Sequence, residues 1–272
     1  MKLRYDVFPD VYAFREAITT RPTNGKFEGA SQTADEDFAG MAYDKALTAL
    51  TAGIPADVER MKRDVATFTA KTAPANKHRP INYYNGHSPN VPAAIMGLPK
   101  SMRKTIRTPQ KTKIVTLIYS MGGLGSVSAE DLTESAITAV KLAAYLEVNG
   151  YRVNLYSCPS MAKEGSEVTA CVIKLKDSKQ PFDIGKLSFS MGNVAMFRRL
   201  GWRWRETQPD VTGNGWYYSY GATIYEHRES KEILQKMGVM TDSAYYFNIQ
   251  DCGKVRYDPV KLAAHLGIIK GD

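Results

Sequence analysis

The sequence is poor in cysteine and lacks the motifs that would indicate a metal site or covalent catalysis. Its three cysteines, Cys158, Cys171 and Cys252, are widely spaced and form no CxxC or Cys/His pair. Zinc sites and disulfide frameworks need closer, recurring spacings, so we expect three buried thiols. HExxH, GxSxG and P-loop motifs are also missing. We therefore expect a binding protein, not an enzyme, with no metal and no cofactor.

Long apolar runs are also absent. The first residues, MKLRYDVFPDVY, lack the apolar core of a signal peptide, and no stretch approaches the roughly 20 apolar residues of a membrane span. The 272 residues are 43% hydrophobic, which is enough to bury a sizeable core without disulfides. We expect a cytoplasmic protein without a membrane partner.

Acidic residues are missing from the segment that carries much of the positive charge. The formal net charge of +8 favours contact with polyanions. Residues 100–113 contain no acid and six cations, namely Lys100, Arg103, Lys104, Arg107, Lys111 and Lys113. A concentrated patch of this kind is typical of surfaces that follow a phosphate backbone.

Apolar periodicity divides the chain into an N-terminal helical and loop region, 1–99, and an α/β core domain, 100–272. Amphipathic helices are predicted over 35–50 and 55–68. Residues 74–99 are rich in Pro and Gly and are predicted to be an ordered loop or a linker.

The core begins with the continuous apolar run IVTLIY, a strand covered on both faces. Ser128 is a good helix N-cap, Gly150 ends the helix, and YRVNLYS is a second strand, which together predict a parallel βαβ unit. Further strands are predicted over 168–176 and 245–249, and helices over 184–199, 233–237 and 259–266. The predicted fold class is α/β, a mixed, largely parallel sheet flanked by helices, with an irregular N-terminal region and an aromatic-rich hairpin.

The loop MGGLGS after the first core strand has two interpretations. A phosphate-binding loop would make the protein a nucleotide-dependent enzyme, but the glycines do not reproduce GxGxxG, so a tight turn is favoured. The layout resembles the von Willebrand factor A fold. That family carries an Asp-x-Ser-x-Ser metal motif here, whereas this chain has Ser120, Met121 and Gly122 without the aspartate. His227 has acidic neighbours, yet a helix start is favoured over acid/base chemistry.

The segment FRRLGWRWRETQPDVTGNGWYYSYGATIY mixes aromatics with arginines. If residues 202–205 are extended, both indoles face one side and both guanidiniums the other, and a TGNG turn then predicts a hairpin. Unpaired bases stack on such rings for about 1–3 kcal/mol each while cations neutralise phosphates. The predicted nucleic-acid-binding residues here are Arg198, Arg199, Trp202, Arg203, Trp204, Arg205, Trp216, Tyr218 and Tyr220. Alternatively, these aromatics cover a core and the arginine stems pack over them.

Tyr83 and Tyr84 lie close in sequence to Lys77, His78 and Arg79. They extend the predicted binding surface or pack within a loop.

The basic segment, the βαβ core without a metal motif and the RRLGWRWR sequence together resemble the Drc family of N-four-type bacteriophages. These are phage single-stranded DNA-binding RNA polymerase cofactors. The resemblance implies that single-stranded DNA and a phage RNA polymerase are partners and that the protein acts in viral transcription regulation in the host bacterial cytoplasm. A homo-oligomer is expected, because non-specific binders gain affinity by engaging one strand at several sites. The competing hypothesis is a structural or adaptor protein with a von Willebrand A-like core that does not bind nucleic acid specifically.

Overall fold

The structure is a computed structural model that describes residues 2–25, 29–72, 80–105, 113–122, 127–164, 166–209, 224 and 226–270. Its strands are β1 (Lys2–Phe8), β2 (Pro80–Tyr83), β3 (Ser88–Pro89), β4 (Met102–Thr105), β5 (Ile114–Ser120), β6 (Arg152–Glu164), β7 (Glu167–Lys176) and β8 (Ala244–Asn248). Its helices are α1 (Val11–Thr20), α2 (Ala30–Thr33), α3 (Glu36–Ala39), α4 (Tyr43–Ala52), α5 (Pro55–Thr72), α6 (Val91–Ile95), α7 (Ala129–Val148), α8 (Ile184–Gly192), α9 (Trp202–Glu206), α10 (His227–Lys236), α11 (Ile249–Lys254) and α12 (Pro259–His265). A π-helical segment, Met196–Gly201, directly precedes α9.

The main sheet has the strand order β1-β7-β6-β5-β8 and is mixed but mostly parallel, which confirms the predicted α/β class. β6 pairs parallel to β5 and antiparallel to β7, while β5 also pairs parallel to β8. The predicted βαβ unit is confirmed as β5–α7–β6. Its helix begins where predicted, because the hydroxyl of Ser128 accepts a hydrogen bond from the backbone N–H of Asp131 at 3.0 Å.

Both faces of the main sheet are covered by apolar side chains. On β5, Leu117 and Tyr119 belong to a cluster shared with α1, α4, α7 and α8, whereas Ile118 belongs to a second cluster shared with α10. This split follows from the alternation of side chains along a strand. Within the described residues, none of the helices combines the length and apolar content that crossing a bilayer requires.

N-terminal elements complete the main sheet and its core, across the predicted boundary between 1–99 and 100–272. β1 is the edge strand and pairs parallel to β7 from Lys2 to Phe8. Helix α5 packs on α7, where Arg60 forms ion pairs with Glu130 and Glu134. The apolar surface of the sheet therefore recruits the first part of the chain, and a core limited to residues 100–272 would lack this edge and this cover.

The helices of the N-terminal region are only partly as predicted. The helix expected over 55–68 is confirmed as α5, but the one expected over 35–50 is divided between α3 and α4. Gly40 causes the break, because it has φ 87° and lies so close to Val194 that a Cβ would come within 2.3 Å of Cγ1. A left-handed residue at a close contact ends α3 and redirects the chain.

The prediction of a loop or linker over 74–99 is wrong for its described part. Residues 80–105 form a small antiparallel sheet in the order β2-β4-β3, and α6 joins β3 to β4. Pro80 and Pro89 begin and end their strands, which are positions where a missing N–H is tolerated. The many turn-forming residues therefore bound very short strands here.

Candidate nucleic-acid interface

The prediction that residues 202–205 are extended is wrong, because they form α9. A helical path runs from the π-helical segment into α9 without interruption. Trp202 and Trp204 are buried, with Trp204 fully enclosed and its indole N–H donating to Asp6 Oδ2 at 2.8 Å. A four-residue alternation is compatible with either backbone, and here burial of two indoles stabilises the helix. Neither ring lies on an open face.

The arginines of this segment join α9 and the π-helical segment to the N-terminal helices. Arg203 donates to the carbonyls of Ile18 and Arg21 at 3.0 and 2.9 Å, next to the end of α1. Arg199 donates to the carbonyls of Met41 and Ser31 at 2.8 and 3.1 Å. Carbonyl groups near helix ends need donors, and guanidinium groups supply several at once.

The remaining residues of the predicted aromatic surface divide into three groups. Five of the predicted ligand-binding residues lie inside the protein, namely Arg199, Trp202, Arg203, Trp204 and Arg205. Arg198 is half-buried, with its guanidinium 4.2 Å from the ring centroid of Phe38, and burial lowers its pKa. Trp216, Tyr218 and Tyr220 lie outside the described residues. In the described part, the alternative of arginine stems and aromatics packed in the interior fits better than an open stacking surface.

The small sheet, in contrast, exposes aromatic rings beside lysines. Tyr83 and Tyr84 are 38% and 64% exposed, and their ring centroids lie 5.6 Å apart in a T-shaped arrangement. Lys104 Nζ lies 4.8 Å from the centroid of Tyr83, and Lys100 Nζ lies 5.6 Å from that of Tyr84. Each pair is within the range of a cation–π contact. We call these four residues the tyrosine–lysine face.

The register of the small sheet decides which cations share this face. Tyr83 lies opposite Met102, and Lys104 lies two residues further along β4, so Tyr83 and Lys104 project to the same side. Arg103 lies opposite Asn82 and Ser88, and alternation directs its exposed side chain to the other side. Lys113 is exposed before β5, whereas Arg107 and Lys111 lie outside the described residues. The described cations of the predicted basic patch therefore do not share one face. Lys100 and Lys104 lie beside the tyrosines, Arg103 projects to the other side, and Lys113 lies outside the small sheet.

The sequence stretch that contains the tyrosine–lysine face carries only positive charges, and this stretch is longer than the basic patch. Residues 65–129 contain nine Lys and Arg and no Asp or Glu. The rest of the chain, with 27 Lys and Arg against 28 Asp and Glu, is close to neutral, so this stretch carries the whole excess charge. Among the described residues, no carboxylate forms an ion pair with Lys100, Arg103 or Lys104. These cations remain available to an anionic ligand.

A polar cluster that the sequence did not reveal surrounds Asp251 at the carboxyl end of β8. The buried carboxylate lies 3.0 Å from His227 Nε2 and 3.5 Å from His265 Nε2, and it accepts the backbone N–H of Asn248 at 3.0 Å. Asn248 and Asp251 form a capping box that starts α11. His227 begins α10, as the favoured interpretation predicts. The Asp251 carboxylate therefore links α10, α11 and α12. Among the described residues, no group of three side chains is arranged to hold a metal ion.

The three cysteines are buried, as predicted. Burial raises the pKa of Cys158 and Cys252 to about 12 and that of Cys171 well above its usual value. A thiol with such a pKa stays protonated near neutral pH and is a poor nucleophile.

These observations define an α/β protein with a closed core and an exposed aromatic and cationic face on a separate small sheet. Residues 2–269 match the family described as Domain of unknown function (DUF7192), and the chain belongs to that family. No curated protein and no solved structure matches the chain.

Proposed function

We propose that this protein binds single-stranded DNA on the tyrosine–lysine face of the small sheet. The supporting observation is the pair of exposed, adjacent rings of Tyr83 and Tyr84, each beside a lysine, within a stretch that has no acid. Bases stack on the rings and the ammonium groups move onto the neighbouring phosphates. A duplex hides the faces of its bases, so the same surface prefers unpaired strands.

This proposal moves the binding surface away from α9. Two of the tryptophans expected to stack on bases are buried, and their arginine neighbours donate to backbone carbonyls. Recruitment of an RNA polymerase is a prediction that follows from the resemblance to the phage cofactors. The proposal supplies the step that such recruitment requires, namely contact with an opened DNA strand.

Binding of a fluorescent oligo-dT, followed by anisotropy in low salt, tests the proposal. Tyr84→Ala is expected to weaken binding about 10-fold, since loss of one stacked base costs about 1–3 kcal/mol. Tyr12→Ala is the matched control, because Tyr12 is 54% exposed and also has a lysine, Lys186, 4.8 Å from its ring centroid. Lys186 is paired with Asp183, whereas none of the ion pairs among the described residues involves Lys100 or Lys104.

Equal affinity of wild-type protein and Tyr84→Ala would overturn the proposed site. Arg103→Ala adds a second control, because it removes a nearby charge from the opposite side of the sheet. If Arg103→Ala weakens binding as much as Lys104→Ala, the contact is general charge attraction without a defined face. Absence of binding by wild-type protein would favour the adaptor hypothesis.

A further inference from the structure

The connection between β3 and β4 carries an unusual amount of exposed apolar surface. Ile95 and Met96 are 81% and 66% exposed, and Val91 and Leu98 are also largely in solvent, whereas only Ala93 of α6 is buried. Single exposed apolar residues are common, but four large ones within eight residues form a patch, and such patches mark contact sites. We call these four residues the apolar tip.

The apolar tip borders the tyrosine–lysine face. The segment is closed at its base by the backbone N–H of Asn90, which donates to Ser101 O at 2.7 Å. It leaves the sheet beside Pro89, which shares a row with Met102 and Tyr83. Lys100, whose ammonium lies over Tyr84, follows Leu98 by two residues. A strand lying on the two tyrosines therefore meets the apolar tip at the end of the small sheet.

We propose that the apolar tip is a wedge that inserts Ile95 and Met96 between stacked bases where single-stranded DNA joins a duplex, so that the protein opens duplex ends. This inference rests on the proposed function. Aliphatic side chains that enter a base step unstack it, and cations beside the wedge hold the distorted backbone. Lys100 and Lys104, which lie beside the tyrosines in a sequence stretch without acids, supply that charge.

The neighbouring rings favour bases over a lipid surface as the occupant. Each base that the wedge releases can stack on Tyr83 or Tyr84, whereas an anionic lipid headgroup has no flat ring to stack there. The backbone also suits protrusion, because Gly97 takes φ 65° immediately after Met96 and turns the chain back toward β4. Ile95 and Met96, the two most exposed residues of the apolar tip, lie at this turn.

The test uses the full chain and a DNA hairpin with a 3′ oligo-dT tail and a fluorophore–quencher pair at the base of its stem. Wild-type protein is expected to open the stem at concentrations that saturate the tail. Ile95→Ser/Met96→Ser is expected to bind the tail within about twofold of wild type while its opening activity falls at least 10-fold. Val148→Ser, which removes an exposed valine at the end of α7, is the control and should behave as wild type. Circular dichroism checks that each variant is folded.

The outcomes separate the wedge from the proposed function. Tail binding without opening by wild type, or unchanged opening by Ile95→Ser/Met96→Ser, overturns the wedge and leaves the binding face intact. Absence of tail binding overturns both. If wild-type protein instead binds vesicles with 30 mol% phosphatidylserine, loses this binding in Ile95→Ser/Met96→Ser and does not open the hairpin, the apolar tip is a membrane contact and the wedge is wrong.

Discussion

Replacement of Arg203 by alanine is expected to lower the free energy of unfolding by about 3 kcal/mol and to leave the affinity for oligo-dT unchanged. The guanidinium donates to Ile18 O, Arg21 O and Thr23 Oγ1 at 3.0, 2.9 and 2.6 Å. A hydrogen bond from a charged donor contributes about 1.5–3 kcal/mol. In the variant, water can donate to the acceptors that are partly exposed. The loss of unfolding free energy is therefore smaller than the sum of three hydrogen bonds.

Urea unfolding followed by far-UV circular dichroism measures this loss. With an m-value of about 3 kcal/mol/M, the midpoint should fall by about 1 M. Arg203→Lys should fall almost as far, because an ammonium group lacks the planar fork that reaches three acceptors. Arg103→Ala, which removes an exposed arginine, should change stability by no more than about 0.5 kcal/mol.

Oligo-dT anisotropy on the same samples completes the comparison. Full stability of Arg203→Ala together with weaker DNA binding would refute the account given above. The RRLGWRWR sequence would then contribute to a ligand surface and would not serve to hold α9 against the N-terminal helices.

Two further predictions concern the backbone and the thiols. Gly40→Ala should lower the free energy of unfolding by about 2–3 kcal/mol, because φ is 87° and the new Cβ meets Val194. Gly29→Ala, with φ 72° and open space around the new Cβ, should lower it by about 1 kcal/mol. Urea unfolding measures both changes. Cys158 and Cys252 should resist a thiol reagent at pH 8 until urea unfolds the chain. Burial raises the pKa of both thiols to about 12. Their contribution to stability is therefore fully present below the ordinary thiol pKa and is lost as the pH rises from about 9 to 12. Rapid labelling of the folded protein, or a smaller loss for Gly40→Ala than for Gly29→Ala, would contradict these expectations.

The β5–α7–β6 unit could be predicted because its signals are local. An apolar run, an N-cap at Ser128 and a glycine that takes φ 90° at position 150 each act within a few residues of the element that they define. Pairing of β5 with β6 then follows from the short crossover. The same reasoning located β7, β8 and α12 to within a few residues.

The conformation of residues 202–205 could not be predicted, because the deciding contacts are distant in sequence. Trp204 pairs with Asp6, which lies 198 positions earlier, and Arg203 bonds to carbonyls more than 180 positions earlier. Four alternating residues fit a strand as well as one turn of helix. The contacts with the N-terminal part of the chain select the helix over the strand.

The tyrosine–lysine face was partly visible in the sequence. Acid-free charge at 100–113 and the pair Tyr83 and Tyr84 were both apparent, but their contact depends on β2 pairing with β4 across about 20 residues. Strands of two to four residues bounded by prolines carry little periodic signal. The Asp251 cluster could not be predicted either, because its two histidines come from other helices and meet the carboxylate only in the folded protein.

The pairing of β1 with β7 has a consequence for biosynthesis. Residues 2–8 meet their partners at 167–173 only after the ribosome has added about 160 residues, which takes on the order of ten to thirty seconds. During this interval a nascent strand with unpaired backbone groups is open to wrong partners. Lys2, Arg4 and Asp6 place charges at alternate positions along it, and charged side chains discourage association between strands of different chains. A neutral substitution at Lys2, whose side chain is about half exposed, should therefore lower the yield of folded protein more than its stability once folded.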